Sequence, residues 1–208
     1  AAGDRSGTAV SLSADGSVVV IGAHANDGNG DNSGHVRVYQ IDFNSITLTS
    51  QSISASELIS LDAKFTGAVN VSSVNTITGT AADIITAYAA NSAGTITGLG
   101  NEAITITDNV TVAQANIISA LTTGVVTATI SDTTEALLDD LTGTGANANA
   151  YTITLSEISY TGPDLITIND RTTIPVNASS VETLTGTAEH INTAYTSNAA
   201  GTITGLGN

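Results

Sequence analysis

One 33-residue stretch occurs twice in this chain. Residues 69–101 read VNVSSVNTITGTAADIITAYAANSAGTITGLGN and residues 176–208 read VNASSVETLTGTAEHINTAYTSNAAGTITGLGN, an offset of 107 with 24 of 33 positions identical. Duplication of that quality outranks local propensity, because it describes a unit that stacks on copies of itself. The second duplicate runs to the last residue, whereas the first is followed by Glu102 onwards. A section of a longer repetitive polypeptide, or a processed subunit, is the expectation.

Composition narrows the functional classes. Cysteine, methionine and tryptophan are absent, and aromatic residues make up 3% of 208 residues. Ligand pockets draw on aromatic and titratable side chains, and this chain is poor in both, so no enzymatic activity is expected. Arg5, Arg37, Lys64 and Arg171 stand against nineteen acidic residues, a net charge of −15. Phosphate backbones need clustered cations, which argues against nucleic acid and anionic membrane as partners. No apolar run approaches the ~20 residues of a spanning helix, and no signal peptide opens the chain. A lack of cysteine is compatible with export but does not by itself place the protein.

Residues 1–43 form a module unlike the rest. TAVSLS (8–13), the turn Ala14-Asp15-Gly16 and SVVVIGA (17–23) read as a β-hairpin, and HVRVYQID (35–42) as a third strand. The stretch GTAVSLSADGSVVVIGAHANDGNGDNSGHVRVYQ resembles one FG-GAP repeat, the blade unit of certain β-propellers of bacterial surface proteins and integrin-type domains. Ser6-Gly7 stands where that family often has Phe-Gly. A propeller needs at least four blades, so this single blade is expected to cover its apolar surface against the following module or another molecule.

From residue 44 to 208, strand-like segments alternate with short helix-like ones. The strands are expected at 45–54, 68–74, 103–112, 125–131, 151–159 and 174–180, where β-branched residues alternate with polar ones. Between them, apolar spacings place single stripes on helices: Leu58/Leu61/Phe65, Ile84/Ile85/Tyr88, Ile117/Ile118/Leu121, Leu137/Leu138/Leu141, Leu165/Ile168 and Ile191/Ala194/Tyr195. Ser54, Thr80, Thr134, Asp164 and Thr187 are the expected N-caps, and Gly67, Gly94, Gly124, Gly143 and Gly201 the expected stops. Strand-to-strand spacings of this size permit parallel crossovers, which are right-handed. The expected fold is therefore α/β: a repetitive β/α solenoid with parallel strands and short helices, preceded by a small antiparallel β module. An all-β sandwich is the alternative. Segments such as GTITGLGNEAITITD and VNASSVETLTGTAEHINTAY also resemble uncharacterised repeats of very long bacterial extracellular proteins, which implies a surface location and structural or adhesive work.

Few residues suggest chemistry. In the loop from His24 to Ser33, Asp27, Asn29, Asp31 and Ser33 alternate as oxygen donors between glycines, the donor type calcium prefers. The bidentate acid of an EF-hand is missing, and a solvated turn is the competing reading. His24 and His35 flank this loop but lack a third metal ligand. His190 replaces Asp83 between the duplicates, as suits a surface position. Asp139-Asp140 reads as a solvated helix face. GTGANANA (143–150) lacks the Lys and Ser/Thr of a P-loop. Tyr88 and Tyr195 are expected to complete helix stripes with their hydroxyls at the rim.

The functional expectation is a non-enzymatic extracellular or cell-surface structural protein that assembles with itself head to tail. Val176, Val181, Leu184, Ile191, Tyr195, Ile203 and Leu206 of the second duplicate are the expected assembly residues, because an open repeat end must be capped or stacked. A contact of this heterologous kind does not close and makes a filament or layer. The alternative is a calcium-dependent adhesin or a module binding surface polysaccharide through the 24–34 loop.

Overall fold

The computed structural model describes residues 5–14, 18–24, 34–40, 45–142 and 149–207. Two compact units divide the chain: Ala1–Ile46 with Phe65–Gly67, and Thr47–Lys64 with Ala68–Asn208. The first holds an antiparallel sheet of β1 (Arg5–Leu12), β2 (Val18–His24) and β3 (His35–Gln40), in that spatial order. Val10 pairs with Ile21 on β2, whereas Val36 pairs with the next residue, Gly22. Side chains alternate along a strand, so Val10 and Leu12 occupy one face of this sheet and Val36 and Val38 the other. All four are well exposed.

Beyond the antiparallel module come β4 (Ile46–Thr47), β5 (Ser52–Ser54), α1 (Ala55–Asp62), β6 (Val69–Asn70), β7 (Thr76–Gly79), α2 (Ala81–Ala93) and β8 (Ile96–Thr97). They are followed by β9 (Ala103–Val110), α3 (Val112–Ser119), β10 (Val126–Ile130), α4 (Thr134–Asp139) and β11 (Ala150–Ile153). Last are β12 (Ser159–Thr161), α5 (Gly162–Asn169), β13 (Val176–Asn177), β14 (Thr183–Thr185), α6 (Ala188–Ala200) and β15 (Ile203–Thr204). The sheets run β11-β10-β9-β7-β5, β4-β6-β8, β12-β14 and β13-β15.

The pairs β5/β7, β7/β9, β9/β10, β10/β11, β6/β8, β12/β14 and β13/β15 are all parallel. Partners such as Ser52↔Thr76, Thr76↔Ala103, Thr127↔Ala150 and Val176↔Ile203 lie 23 to 27 residues apart. That separation is one strand, one short helix and a return, the minimum a parallel connection needs. The molecule is thus a mixed α/β protein with several parallel sheets, six helices among the described residues and one small antiparallel sheet. An all-β sandwich is set aside.

Each helix starts from a hydroxyl that accepts the third helical N–H. Ser54, Thr80, Thr111, Thr133, Thr161 and Thr187 all do so from extended backbone. Thr133 and Thr161 replace the expected Thr134 and Asp164, because an N-cap sits outside the helical dihedrals while the residues after it sit inside. Only α2 and α6 end on a left-handed glycine, Gly94 (φ 84°) and Gly201 (φ 80°). Helices α1 and α3 stop at Ala63 and Ala120, short of Gly67 and Gly124, and Gly143 lies outside the described residues. Gly124 is needed for another reason: a Cβ there would stand 2.2 Å from the Glu102 carbonyl oxygen.

The core is a column of aliphatic residues. Leu58, Ile77, Ile84, Ile104, Ile118, Leu165 and Ile168 are fully buried, each worth about 1.5–3 kcal/mol of transfer free energy. Two stripes differ from expectation. Phe65 lies beyond α1, and Ile117 is half exposed because α3 turns Val112, Ala115 and Ile118 inward instead. Strands β7, β8, β12, β14 and β15 were not anticipated, since two to four paired residues leave almost no alternation to read.

The duplicates fold alike down to single hydrogen bonds. Asn70 Oδ1 accepts from Ser72 N at 3.0 Å, and Asn177 Oδ1 from Ser179 N at 3.0 Å. Asn91 Oδ1 accepts from Leu99 N at 3.2 Å, and Asn198 Oδ1 from Leu206 N at 3.1 Å. Gly98 and Gly205, both at positive φ, pass so close to Ser72 and Ser179 that a Cβ would meet backbone at 2.8 and 2.7 Å.

Candidate functional site

What separates the duplicates is their cover. In the first, Val74, Ile77, Ala81, Ile84 and Tyr88 are all buried. At the equivalent positions of the second, Val181, Leu184 and Ile191 are half-buried, Ala188 is exposed, and Tyr195 is 45% exposed against 3% for Tyr88. The sequences are nearly the same, so the difference lies in what packs on them.

Strand β9 supplies the cover of the first duplicate. It lies parallel to β7 with Ile104 opposite Ile77. Glu102, just before it, is fully buried and accepts the Tyr88 hydroxyl at 2.7 Å through Oε2, which also accepts the Gly100 N–H at 2.9 Å. Burial, and next the Glu102 bond, push the Tyr88 phenol well above its ordinary range. The Tyr88 hydroxyl is therefore an interior anchor and not a rim group as expected. Farther along β9, Asp108 Oδ1 accepts the Ala81 N–H at 2.9 Å, the first N–H of α2. Asp132 treats Val112, the first residue of α3, in the same way at 2.9 Å. A carboxylate in β9, or just past β10, thus caps the positive end of the preceding helix.

Of the expected assembly residues, Val176 and Ile203 face each other across β13 and β15 and are wholly buried, so they belong to the interior. Val181, Leu184, Tyr195 and Leu206 come together with Glu182 and Gly207 around a concavity of about 150 Å³. Ile191 is half-buried on α6. Glu102 and Asp108 escaped the sequence reading. The signal that could have found Glu102 is its place directly after the first duplicate, beside the strand that covers it.

At the opposite end of the same unit, β5 is the terminal strand of its sheet. Leu48, Ser52, Ile53, Glu57, Leu61 and Lys64 line a larger concavity there, about 430 Å³. Ser50 Oγ donates to the Ser52 carbonyl at 2.6 Å and accepts the Ser52 N–H at 3.3 Å.

The remaining candidates are soon placed. Asp27, Asn29, Asp31 and Ser33, the calcium candidates, lie outside the described residues. His35 pairs across the sheet with Ala23, one residue out of step with His24, so the two histidines point to opposite faces. His35 Nε2 accepts the Arg37 Nε–H at 2.8 Å. His190 is half-buried, with Nδ1 3.1 Å from Thr187 Oγ1. Asp139 and Asp140 are exposed at the end of α4. Residues 143–148 of the Gly-rich stretch lie outside the described residues.

Residues 1–39 match the model of the FG-GAP repeat. Comparison with curated proteins and with solved structures gives no match. FG-GAP repeats are typical of extracellular or surface proteins. Among the described residues no helix is long and apolar enough to cross a membrane.

Proposed function

We propose that this is a non-enzymatic structural protein of the cell exterior whose repeat region, a β/α solenoid, assembles head to tail with further molecules of the chain into a filament or layer. The observation that carries the reading is the contrast between duplicates: Ile77 and Tyr88 are buried beside β9, where their twins are half-buried Leu184 and 45% exposed Tyr195. Parallel offsets of 20 to 27 residues support the solenoid, since each is long enough for a strand-helix-return step. The antiparallel module adds a second demand for cover, with apolar side chains on both of its faces. A contact between two different ends of one molecule propagates without closing.

Light scattering across micromolar concentrations tests this reading. The expected result is a mass that climbs with concentration, more steeply in added salt because a charge of −15 repels its copies. A monodisperse monomer at every concentration and ionic strength sinks it.

A further inference from the structure

We propose that the outward face of the β5-β7-β9-β10-β11 sheet binds ice, its ordered threonine hydroxyls and methyls taking the place of surface water on the growing crystal. The proposal goes beyond self-association, because a single chain carries the whole face.

The face is built by alternation. Ile77, Ile104, Ala128 and Ile153 are buried in the core, so the residues beside them in each strand point outward. Parallel register aligns those outward residues across all five strands: Ser54, Thr78, Thr105, Thr127 and Ala150 form one row, and Thr129 and Thr152 begin a second. The register shift in β9 lies beyond Thr105 and leaves the first row in line. Thr105, Thr127, Thr129 and Thr152 are exposed. Neighbours within a row stand about 4.7–4.9 Å apart, and successive rows about 6.6 Å. The result is a two-dimensional grid of hydroxyls and methyls, with both spacings close to the oxygen repeats on a prism face of ice.

What the grid excludes identifies its partner. The chain has nineteen acidic and four basic residues, yet Asp108 is the one charged residue in the five strands, and its Oδ1 is held by the Ala81 N–H. A charged partner finds no counter-charge on this face, and a neutral one meets no repulsion. Tyr151 is the one aromatic in these strands and is buried, so no ring is offered to the apolar side of a sugar. Threonines that serve the fold elsewhere are hydrogen-bonded: Thr122 Oγ1 donates to the Glu102 carbonyl at 2.7 Å, and Thr172 Oγ1 to the Tyr151 carbonyl at 2.6 Å. Among the described residues, the hydroxyls of Thr78, Thr105, Thr127, Thr129 and Thr152 make no such bond within the protein. Each keeps a donor and an acceptor for a ligand. Threonine is also stiff at χ1, so little side-chain entropy is lost when the ligand is itself an ordered array of water. Strand propensity accounts for a threonine at any one outward position. It does not account for the exclusion of charge from a whole face of so acidic a chain.

Nanolitre osmometry of the full chain, with partition of the protein into slowly grown ice, tests the proposal. The wild-type chain should shape the crystals, hold a gap between melting and freezing, and be retained in the ice. Thr127→Lys, at the centre of the grid, should reduce that gap about tenfold, since an ammonium must shed its water to enter the contact. Thr105→Val, which removes a hydroxyl and keeps the shape, should reduce it less. Thr86→Lys, at an exposed position of α2, should leave it unchanged. Thr105 and Thr127 are both exposed, and an unchanged far-UV spectrum and melting point confirm that only the contact has changed. A wild-type chain that is excluded from ice, or a freezing gap that ignores Thr127→Lys, overturns the proposal. So does retention on microcrystalline cellulose without an effect on ice, which assigns the grid to a polysaccharide.

Discussion

At the residue scale, two tyrosines at equivalent places in a duplicated sequence do different work. Tyr88 donates to a buried carboxylate, whereas Tyr195 is 45% exposed. Removing the Tyr88 hydroxyl leaves Glu102 Oε2 with only the Gly100 N–H, and a buried acceptor that loses a partner costs about 1–3 kcal/mol. Tyr88→Phe should therefore lower the urea midpoint of the monomer clearly, while Tyr195→Phe leaves it unchanged within error. The pair of measurements checks the burial difference directly. Neither role was legible from the helix stripe, which puts both rings on the same face and says nothing of what lies opposite.

At the element scale, the helices depend on the strands that follow them. Each carries its own hydroxyl N-cap, and α2 and α3 in addition receive Asp108 and Asp132 from the next layer. Replacing Asp108 with Ala frees the first N–H of α2 and removes a negative charge from its positive end, a loss of about 1–2 kcal/mol. Denaturant titration of Asp108→Ala should show that loss, and hydrogen exchange should locate it in the first turn of α2. Helix positions are legible in the sequence because apolar spacing and capping hydroxyls are local signals. The short strands are not, since β8 or β15 offers two residues whose pairing is decided by a layer 27 residues away.

At the scale of the whole molecule, folding buries phenols in an acidic chain. Tyr88 and Tyr151 both have their pKa raised, chiefly by burial. In the unfolded chain they ionise near the ordinary tyrosine value of about 10. Above that pH the native state holds protons the unfolded state has lost, so stability declines as pH rises toward the folded values. A urea midpoint that falls steadily from about pH 10 upward is the expected outcome, with Tyr88→Phe removing part of the slope; a flat alkaline profile contradicts the buried phenols.

Sequence alone determined that this chain contains a duplicated stretch, that strands and short helices alternate in it, and that its first residues carry the pattern of an antiparallel sheet. Those features are written in identity, periodicity and capping residues, which act over a few positions or repeat verbatim. Tertiary structure decided which surfaces of equal sequence are covered. Val176 and Ile203 are interior because they pair across β13 and β15, while Leu184 is half-buried and Tyr195 45% exposed where their twins Ile77 and Tyr88 are buried. Burial is a property of neighbours distant in sequence, and a duplicated stretch carries the same letters whether or not a neighbour is there.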